Sequence, residues 1–140
     1  MTTESRPALV TGAATGIGAA IAERLATDGH RVVGTWNRAT PPEGTGVDYR
    51  RCDVTDEASV TALFDDLGPD GRPLIVVSNA AVLNITALGR MDEDDFDGPV
   101  DVVLGGAHRL LRHAHDGVAR ARWGRIVLVG SAVAGLGAAA

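Results

Sequence analysis

The sequence predicts an α/β fold, a doubly wound parallel sheet with helices on both of its faces. Two observations indicate this fold. Short apolar segments alternate with stretches of helical periodicity, which is the pattern of successive βαβ units. Residues 74–77, Leu-Ile-Val-Val, are apolar without alternation, as expected for a strand that is buried on both faces of a parallel sheet. We therefore predict one domain over residues 1–140.

The individual elements follow from local patterns. The predicted strands are residues 8–10, 31–35, 49–52, 74–77 and 126–129. After the first strand, apolar residues recur at helical spacing until Gly29, which ends that helix. A loop rich in Pro and Gly covers residues 40–46, a second helix covers residues 56–67, and a turn covers residues 68–73. A long third helix carries one apolar stripe, formed by Val100, Val103, Leu104, Ala107, Leu111, Ala114 and Val118.

The composition argues against several classes of function. A net charge of −5 and an isoelectric point of about 5.2 do not suit a nucleic-acid surface, which needs clustered Lys and Arg. The single cysteine, Cys52, leaves no pair for an intrachain disulfide, and we expect it to be buried and unreactive. No apolar run approaches membrane-spanning length, and the polar N-terminus is unlike a signal peptide. We expect a cytoplasmic protein without membrane or nucleic-acid partners.

No metal site is predicted. The acidic residues 92–95 precede the long helix, where carboxylates complement the positive end of the helix dipole. Three of the four histidines, His108, His113 and His115, are expected on the polar side of that helix, with no carboxylate at metal-ligand spacing.

A glycine-rich turn at residues 11–18 is the main chemical signal. It reads Thr-Gly-Ala-Ala-Thr-Gly-Ile-Gly and lies between a predicted strand and an amphipathic helix. In such a turn Gly12 permits the sharp bend, Gly16 leaves room for a pyrophosphate, and Gly18 allows close packing of the helix on the sheet. This context predicts a Rossmann-like dinucleotide site whose first segment comprises Gly12, Ala14, Thr15, Gly16, Ile17 and Gly18.

With this turn, three later landmarks make the chain resemble the short-chain dehydrogenase/reductase family, and especially its β-ketoacyl-carrier-protein reductases and polyketide ketoreductases. The landmarks are Asp53-Val54, the stretch Ser78-Asn79-Ala80-Ala81, and residues 124–127 leading to Gly130-Ser131. The resemblance implies that Asp53 and Val54 hold the adenine, that Asn79, Ala80 and Ala81 shape the adenosine and nicotinamide riboside side, and that catalytic Ser131 hydrogen-bonds a substrate carbonyl. Taken alone, Asp53 and Ser131 are also ordinary turn residues after strands.

The choice of cofactor is argued from the end of the second strand. An NAD enzyme usually has an acid there for the ribose 2′-hydroxyl, but this region reads Thr35-Trp36-Asn37-Arg38. Arg38, next to Asn37, is suited to pairing with a 2′-phosphate, although a solvent-facing loop arginine is the alternative. We therefore predict NADP(H) as the cofactor.

Three departures from the family pattern bear on catalysis. The family's Tyr-x-x-x-Lys is absent, since Tyr49 is the only tyrosine and the chain contains no lysine. The position of the family's catalytic asparagine is occupied by Val103, or by Asp101 or Val102 if the register slips. Ala81 stands where the family commonly has glycine.

The fold is expected to be truncated after the fifth strand, which would leave residues 126–129 as an exposed apolar edge. Either the sequence is the N-terminal part of a longer reductase or a partner completes it. The leading hypothesis is an NADPH-dependent carbonyl reductase, homo-oligomeric by resemblance, acting on a small-molecule or carrier-protein-bound ketone such as a 3-oxoacyl or polyketide thioester. The alternative is a catalytically silent NADP(H)-binding or assembly protein.

Overall fold

A computed structural model of the chain describes residues 4–136. Its centre is a sheet of five strands that are all parallel, in the spatial order β3-β2-β1-β4-β5. The strands are β1 (Pro7–Val10), β2 (Arg31–Trp36), β3 (Asp48–Arg51), β4 (Ile75–Ser78) and β5 (Arg125–Leu128). The predicted parallel sheet is confirmed, and the predicted strand boundaries differ from the observed ones by about one residue.

Helices cover both faces of this sheet, as predicted for a doubly wound fold. The α-helices of the described residues are α1 (Gly16–Thr27), α2 (Glu57–Gly71), α3 (Glu93–Val100), α4 (Gly106–Ala121) and α5 (Val133–Leu136), and those that pack on the sheet are α1, α2 and α4. On one face, Ala22 of α1 packs in a cluster with Val10 and Val32 of the sheet. On the other face, Phe64 of α2 and Leu110 of α4 pack with strand residues such as Leu9 and Val76. The alternation of neighbouring strand residues between the two clusters reflects the two-residue period of a strand.

The second helix is longer than predicted. Gly68 has φ 62° and ψ −178°, which breaks α2 at the residue where the sequence predicts a turn. The chain then resumes one helical turn through Gly71, with Pro69 next to the break. Proline is well tolerated at the start of a helical segment, because its missing N–H has no intrahelical partner there. The turn predicted over residues 68–73 is therefore wrong for residues 69–71.

The acidic run at residues 92–95 caps α3. The Asp92 side chain accepts a hydrogen bond from the backbone N–H of Asp95 at 2.9 Å, and the Asp95 side chain accepts one from the Asp92 N–H at 3.4 Å. This reciprocal pair is a capping box, and the remaining carboxylates lie in the first turn, where the helix dipole favours negative charge. The predicted position of these carboxylates at the start of a helix is confirmed.

A π-helical turn, Asp101–Gly105, joins α3 to α4 and changes the apolar face predicted for the long helix. The N–H of Gly106 donates to the Asp101 carbonyl, five residues earlier, so the extra residue rotates the segment before the turn relative to α4. Leu110 is completely buried, whereas Leu104 is 69% exposed. The predicted stripe is therefore correct for Ala107 and Ala114 but wrong for Val100, Val103 and Leu104, which are exposed.

His113 does not lie on the polar side of α4, where it was predicted. Its ring stacks 5.2 Å from the ring of Phe64, and its Nε2 lies 2.8 Å from a carboxylate oxygen of Glu57. The hydrogen bond from His113 and the nearby charge of Arg112 hold the pKa of Glu57 below its ordinary value. Glu57 belongs to α2, so spacing along a single helix does not reveal this carboxylate. His108 and His115 are exposed, as predicted.

Two kinds of feature are absent from residues 4–136. No three His, Cys, Asp or Glu side chains are grouped closely enough to hold a metal ion. No helix in this part of the chain has both the length and the apolar composition to cross a bilayer.

The last strand forms an exposed edge of the sheet. Within residues 4–136, β5 pairs only with β4, and its apolar side chains face solvent, with Ile126 52% and Leu128 60% exposed. The predicted exposed edge is confirmed for the described residues.

The rotation introduced by the π turn is tested by two leucine truncations. We expect Leu110→Ala to lower the free energy of unfolding by about 2–5 kcal/mol, because it removes a fully buried side chain from the core. Leu104→Ala, on the exposed face, should change it by no more than about 0.5 kcal/mol. Urea unfolding followed by circular dichroism measures both, and equal losses would contradict the register described above.

Candidate functional site

A cleft of about 480 Å³ lies at the carboxyl ends of the strands. The strand order changes direction between β1 and β4, so the loops that follow these two strands lead to opposite sides and leave a crevice between them. All the predicted cofactor-binding residues except Gly18 line this cleft: Gly12, Ala14, Thr15, Gly16, Ile17, Asn37, Arg38, Asp53, Val54, Asn79, Ala80 and Ala81.

Several lining residues were not predicted from the sequence. They are Thr35, Trp36, Ala39, Cys52, Thr55, Val82 and Val102. Most of them are neighbours of predicted residues, so extending each motif by one residue would have found them. Val102 is different, because it reaches the cleft from the π turn, which no sequence pattern indicated. Cys52 is buried as predicted, and burial raises the pKa of its thiol, which disfavours a reactive thiolate.

The glycine turn has two residues with left-handed backbone. Gly12 has φ 63°, and a Cβ there would lie 3.0 Å from the Cα of Ala80. Gly16 has φ 57°, but a Cβ there would have no heavy atom within 4 Å, since it would project into open space. Gly12 is thus required by the protein's own packing, whereas Gly16 borders space that the protein leaves free.

Gly18 does not line the cleft but supports it from behind. A Cβ at this position would overlap the carbonyl of Gly12 and the side-chain amide of Asn79. The predicted reason for Gly18, close packing of helix on sheet, is therefore refined. The close approach is between the first turn of α1 and the two loops that form the crevice.

The first turn of α1 carries no capping group or acidic side chain. Thr15 is the N-cap residue with φ −147°, and its side chain makes no capping hydrogen bond. The amides at a helix N-terminus carry partial positive charge and need acceptors. This end of α1 lies in the cleft beside Gly16, so the arrangement suits an anionic group.

Thr11 and Asn79 tie the two sides of the crevice together. The Thr11 hydroxyl is completely buried and accepts hydrogen bonds from the backbone N–H groups of Asn79 and Ala80, each at 3.0 Å. In return, the Asn79 side-chain amide donates to the carbonyls of Thr11 at 3.0 Å and Gly12 at 3.2 Å. Together these four bonds, here called the Thr11–Asn79 clamp, fix the glycine turn against the loop after β4.

Asp53 is held in one orientation at the end of β3. One carboxylate oxygen accepts from the Thr55 N–H at 2.9 Å and from the Thr55 hydroxyl at 2.7 Å, and the other accepts from the Asn37 amide at 2.8 Å. The Thr55 hydrogen bonds, aided by Asn37 and the charge of Arg38, hold the pKa of Asp53 below its ordinary value. The carboxylate is therefore ionised near neutral pH, and it keeps acceptor capacity toward the cleft.

Arg38 is exposed at the cleft rim, just beyond the end of β2. Among the described residues its guanidinium makes no hydrogen bond or ion pair within bonding distance. Since Arg38 contributes to the lowered pKa of Asp53, its charge acts on the cleft. An arginine in this position presents donors for an anionic group.

The two positions predicted to bear on catalysis lie outside the cleft lining. Ser131 follows β5, is exposed, and accepts a hydrogen bond from the Val133 N–H at 3.2 Å. Val103, at the predicted asparagine position, is 42% exposed, whereas its neighbour Val102 lines the cleft. Ala81 has a negative φ, since Arg122 is the only non-glycine residue with positive φ in the described part of the chain. The methyl group that Ala81 has in place of a glycine hydrogen therefore causes no backbone strain.

Comparison with known proteins identifies the class to which this fold and cleft belong. The family model of the short chain dehydrogenases matches residues 6–140, and the chain belongs to that family. It is 40% identical to the 3-oxoacyl-(acyl-carrier-protein) reductase MabA of Mycobacterium tuberculosis, over 91% of this chain and 51% of that protein. It is 37% identical to the reductase FabG of Pseudomonas aeruginosa and 34% identical to that of Escherichia coli, over 98% of this chain and 60% and 59% of theirs.

These relatives confirm the predicted resemblance to the 3-oxoacyl-carrier-protein reductases. The chain spans between about half and three fifths of the length of the curated relatives it matches.

The clamp is tested by removing the side-chain amide of Asn79. We expect Asn79→Ala to lower the free energy of unfolding by about 1–3 kcal/mol, because the carbonyls of the buried Thr11 and the half-buried Gly12 lose their donor. Asn84→Ala is the matched control, since its exposed side chain makes one bond at 3.3 Å and should change stability by less than about 0.5 kcal/mol. If thermal and urea unfolding show the same stability for both variants, the clamp does not hold the crevice.

Proposed function

We propose that the chain binds NADP(H) in the cleft at the carboxyl ends of the strands. The single observation that carries this proposal is the open space at Gly16 in front of the uncapped first turn of α1. The pyrophosphate of a dinucleotide is the group whose charge and size suit such a turn. In this arrangement Gly12, Ala14, Thr15, Gly16 and Ile17 border the pyrophosphate, and Gly18 keeps the helix close behind it.

The remaining parts of the cofactor are assigned by the chemistry of the lining. The ionised Asp53 offers acceptor capacity to the amino group of adenine, and Val54 forms the adjoining apolar wall. The exposed guanidinium of Arg38 pairs with the 2′-phosphate, and Asn37 keeps Asp53 in place beside it. Asn79, Ala80 and Ala81 border the side nearer to the nicotinamide riboside. The absence of an acidic residue at the end of β2 supports NADP(H) over NAD(H).

We propose further that the protein of which these residues form part reduces a ketone to a secondary alcohol. The cofactor supplies the hydride, and the protein supplies orientation and proton transfer. The names of the relatives support a 3-oxoacyl group carried by an acyl carrier protein as the substrate class. Ser131 lies at the same edge of the sheet as the cleft and is the residue proposed to hydrogen-bond the substrate carbonyl.

A catalytically silent NADP(H)-binding or assembly protein is the second candidate, favoured by one specific observation. Val103 stands at the position that the resemblance assigns to the family's asparagine. The apolar side chain of valine has no group that holds a water or relays a proton.

Turnover separates the two candidates. The 140-residue chain is mixed with NADPH and a 3-oxoacyl thioester, and NADPH oxidation is followed by absorbance. If the protein is a reductase, we expect turnover only when a Tyr-x-x-x-Lys is present. The coding sequence is therefore also read beyond Ala140, and any longer product is assayed in parallel. If a product that carries the Tyr-x-x-x-Lys binds NADPH without turnover, the silent protein is favoured. Steady turnover by the 140 residues alone would refute the silent protein.

Self-association through the long helix, expected from the family resemblance, also remains a proposal. Its support is that two large apolar side chains on the segment that leads into α4 are exposed, Phe96 of α3 by 62% and Leu104 of the π turn by 69%.

The role of Arg38 is tested by the difference between the two cofactors. We expect Arg38→Ala to weaken NADPH binding by roughly tenfold to a hundredfold, because a charge-assisted hydrogen bond to the 2′-phosphate is lost. NADH lacks this phosphate, so its affinity should be almost unchanged. Isothermal titration calorimetry or protein fluorescence measures both affinities.

Two further variants control this measurement. Arg120→Ala removes an exposed arginine far from the cleft lining and should leave both affinities unchanged. Gly16→Val places a branched side chain in the proposed pyrophosphate space and should abolish binding of both cofactors. Equal weakening of NADPH and NADH by Arg38→Ala would remove Arg38 from the 2′-phosphate site.

A further inference from the structure

Arg109 of α4 links the π turn to the loop that bears Asp53. Its guanidinium donates to the carbonyl of Val54 at 3.2 Å and forms an ion pair with Asp101 at 2.8 Å. The side chain is 22% exposed, and the carboxylate of Glu57 lies farther away, at 4.0 Å. One cation therefore bridges a backbone carbonyl of the cleft and a carboxylate at the first residue of the π turn.

The packing around this bridge leaves no room for additional atoms. A Cβ at Gly105 would lie 2.5 Å from a carboxylate oxygen of Asp101 and 2.9 Å from the Arg109 guanidinium. A Cβ at Gly106 would lie 2.9 Å from the side chain of Val54. Two successive glycines thus allow the bridge and the loop to approach the helix backbone closely.

The loop that the bridge contacts, residues 53–55, is otherwise held by its own bonds, by Ser59 and, at the Asp53 carboxylate, by Asn37 at 2.8 Å. The Thr55 N–H donates to Asp53 within the loop, and the Asp53 N–H donates to the Ser59 hydroxyl at 3.0 Å. The carbonyl of Val54, a residue only 6% exposed, receives its hydrogen bond from Arg109. A buried carbonyl without a donor costs free energy, so the loop geometry depends on this contact.

We propose that Arg109 is a positioning residue for the adenine side of the cleft, acting through the Val54 carbonyl and itself oriented by Asp101 of the π turn. This inference rests on the NADP(H) site proposed above, since Asp53 and Val54 are there assigned to the adenine. The planar guanidinium suits the task because it presents separate N–H groups to two acceptors at fixed angles. The ammonium of a lysine lacks this fork.

The proposal is tested with Arg109→Met, which keeps an unbranched apolar stem and removes the guanidinium. We expect its affinity for NADPH, and for 2′,5′-ADP, which carries the adenosine with its 2′- and 5′-phosphates but no nicotinamide, to fall by about tenfold relative to the unmodified chain. Arg109→Lys should recover part of this loss. Arg112→Met is the matched control, because Arg112 lies on the same helix and pairs with Glu57 without contacting residues 53–55.

A second measurement needs no cofactor. Hydrogen exchange of the Thr55 amide, which is bonded to Asp53, should be at least several-fold faster in Arg109→Met than in Arg112→Met, because the loop loses its anchor. Asp101→Ala should produce a smaller change in the same direction. Because Asp101 acts through Arg109, the double variant should bind 2′,5′-ADP no more weakly than Arg109→Met alone.

The outcomes separate this inference from the proposed function. If the unmodified chain binds neither NADPH nor 2′,5′-ADP, the proposed cofactor site is wrong and the positioning role falls with it, whatever the exchange of Thr55 shows. If the unmodified chain binds and Arg109→Met matches Arg112→Met in affinity and exchange, the positioning role is overturned while the cofactor site stands. Should Arg109→Met fail to fold, Asp101→Ala and Arg109→Lys decide between the same outcomes.

Discussion

The crevice depends on one reciprocal contact between two loops, the Thr11–Asn79 clamp. A parallel sheet alone brings the ends of β1 and β4 together, but it does not fix the path of the chain beyond them. The buried Thr11 hydroxyl satisfies two amides of the opposite loop, and Asn79 satisfies two carbonyls of the glycine turn. The start of α1 is therefore fixed relative to β4, and Gly18 is needed because no Cβ fits beside this contact.

Around the clamp the cleft is divided into regions of different charge. The uncapped start of α1 and the exposed Arg38 present positive potential, whereas the ionised Asp53 presents a negative one. A dinucleotide has the matching order of groups, with phosphates that need donors and an adenine amino group that needs an acceptor. Asn37 holds one oxygen of the Asp53 carboxylate by a hydrogen bond of 2.8 Å.

The sequence predicted the sheet and most of the cleft, because their signals are local. Gly12, Asp53 and Asn79 each follow a strand, and the carboxyl ends of parallel strands necessarily meet at one edge. The features that the sequence did not predict have a common physical cause, because they depend on contacts between elements. His113 was misplaced because its partner Glu57 belongs to another helix. Val102 was missed as a lining residue and Leu104 was assigned to the wrong face, because a π turn shifts the helical period and no residue type in residues 101–105 indicates it.

That π turn is equivalent to a one-residue insertion absorbed inside a helix. Removing a residue between positions 101 and 105 would restore ordinary α spacing and rotate everything before it by about 100° relative to α4. Val102 would then leave the cleft, and the carboxylate of Asp101 would no longer face the Arg109 guanidinium. A change of length in this short segment is thus less tolerable than a change of side chain at its exposed positions, Val103 and Leu104. In genetic terms, we expect substitutions at these two positions to accumulate and single-codon deletions within residues 101–105 to be eliminated.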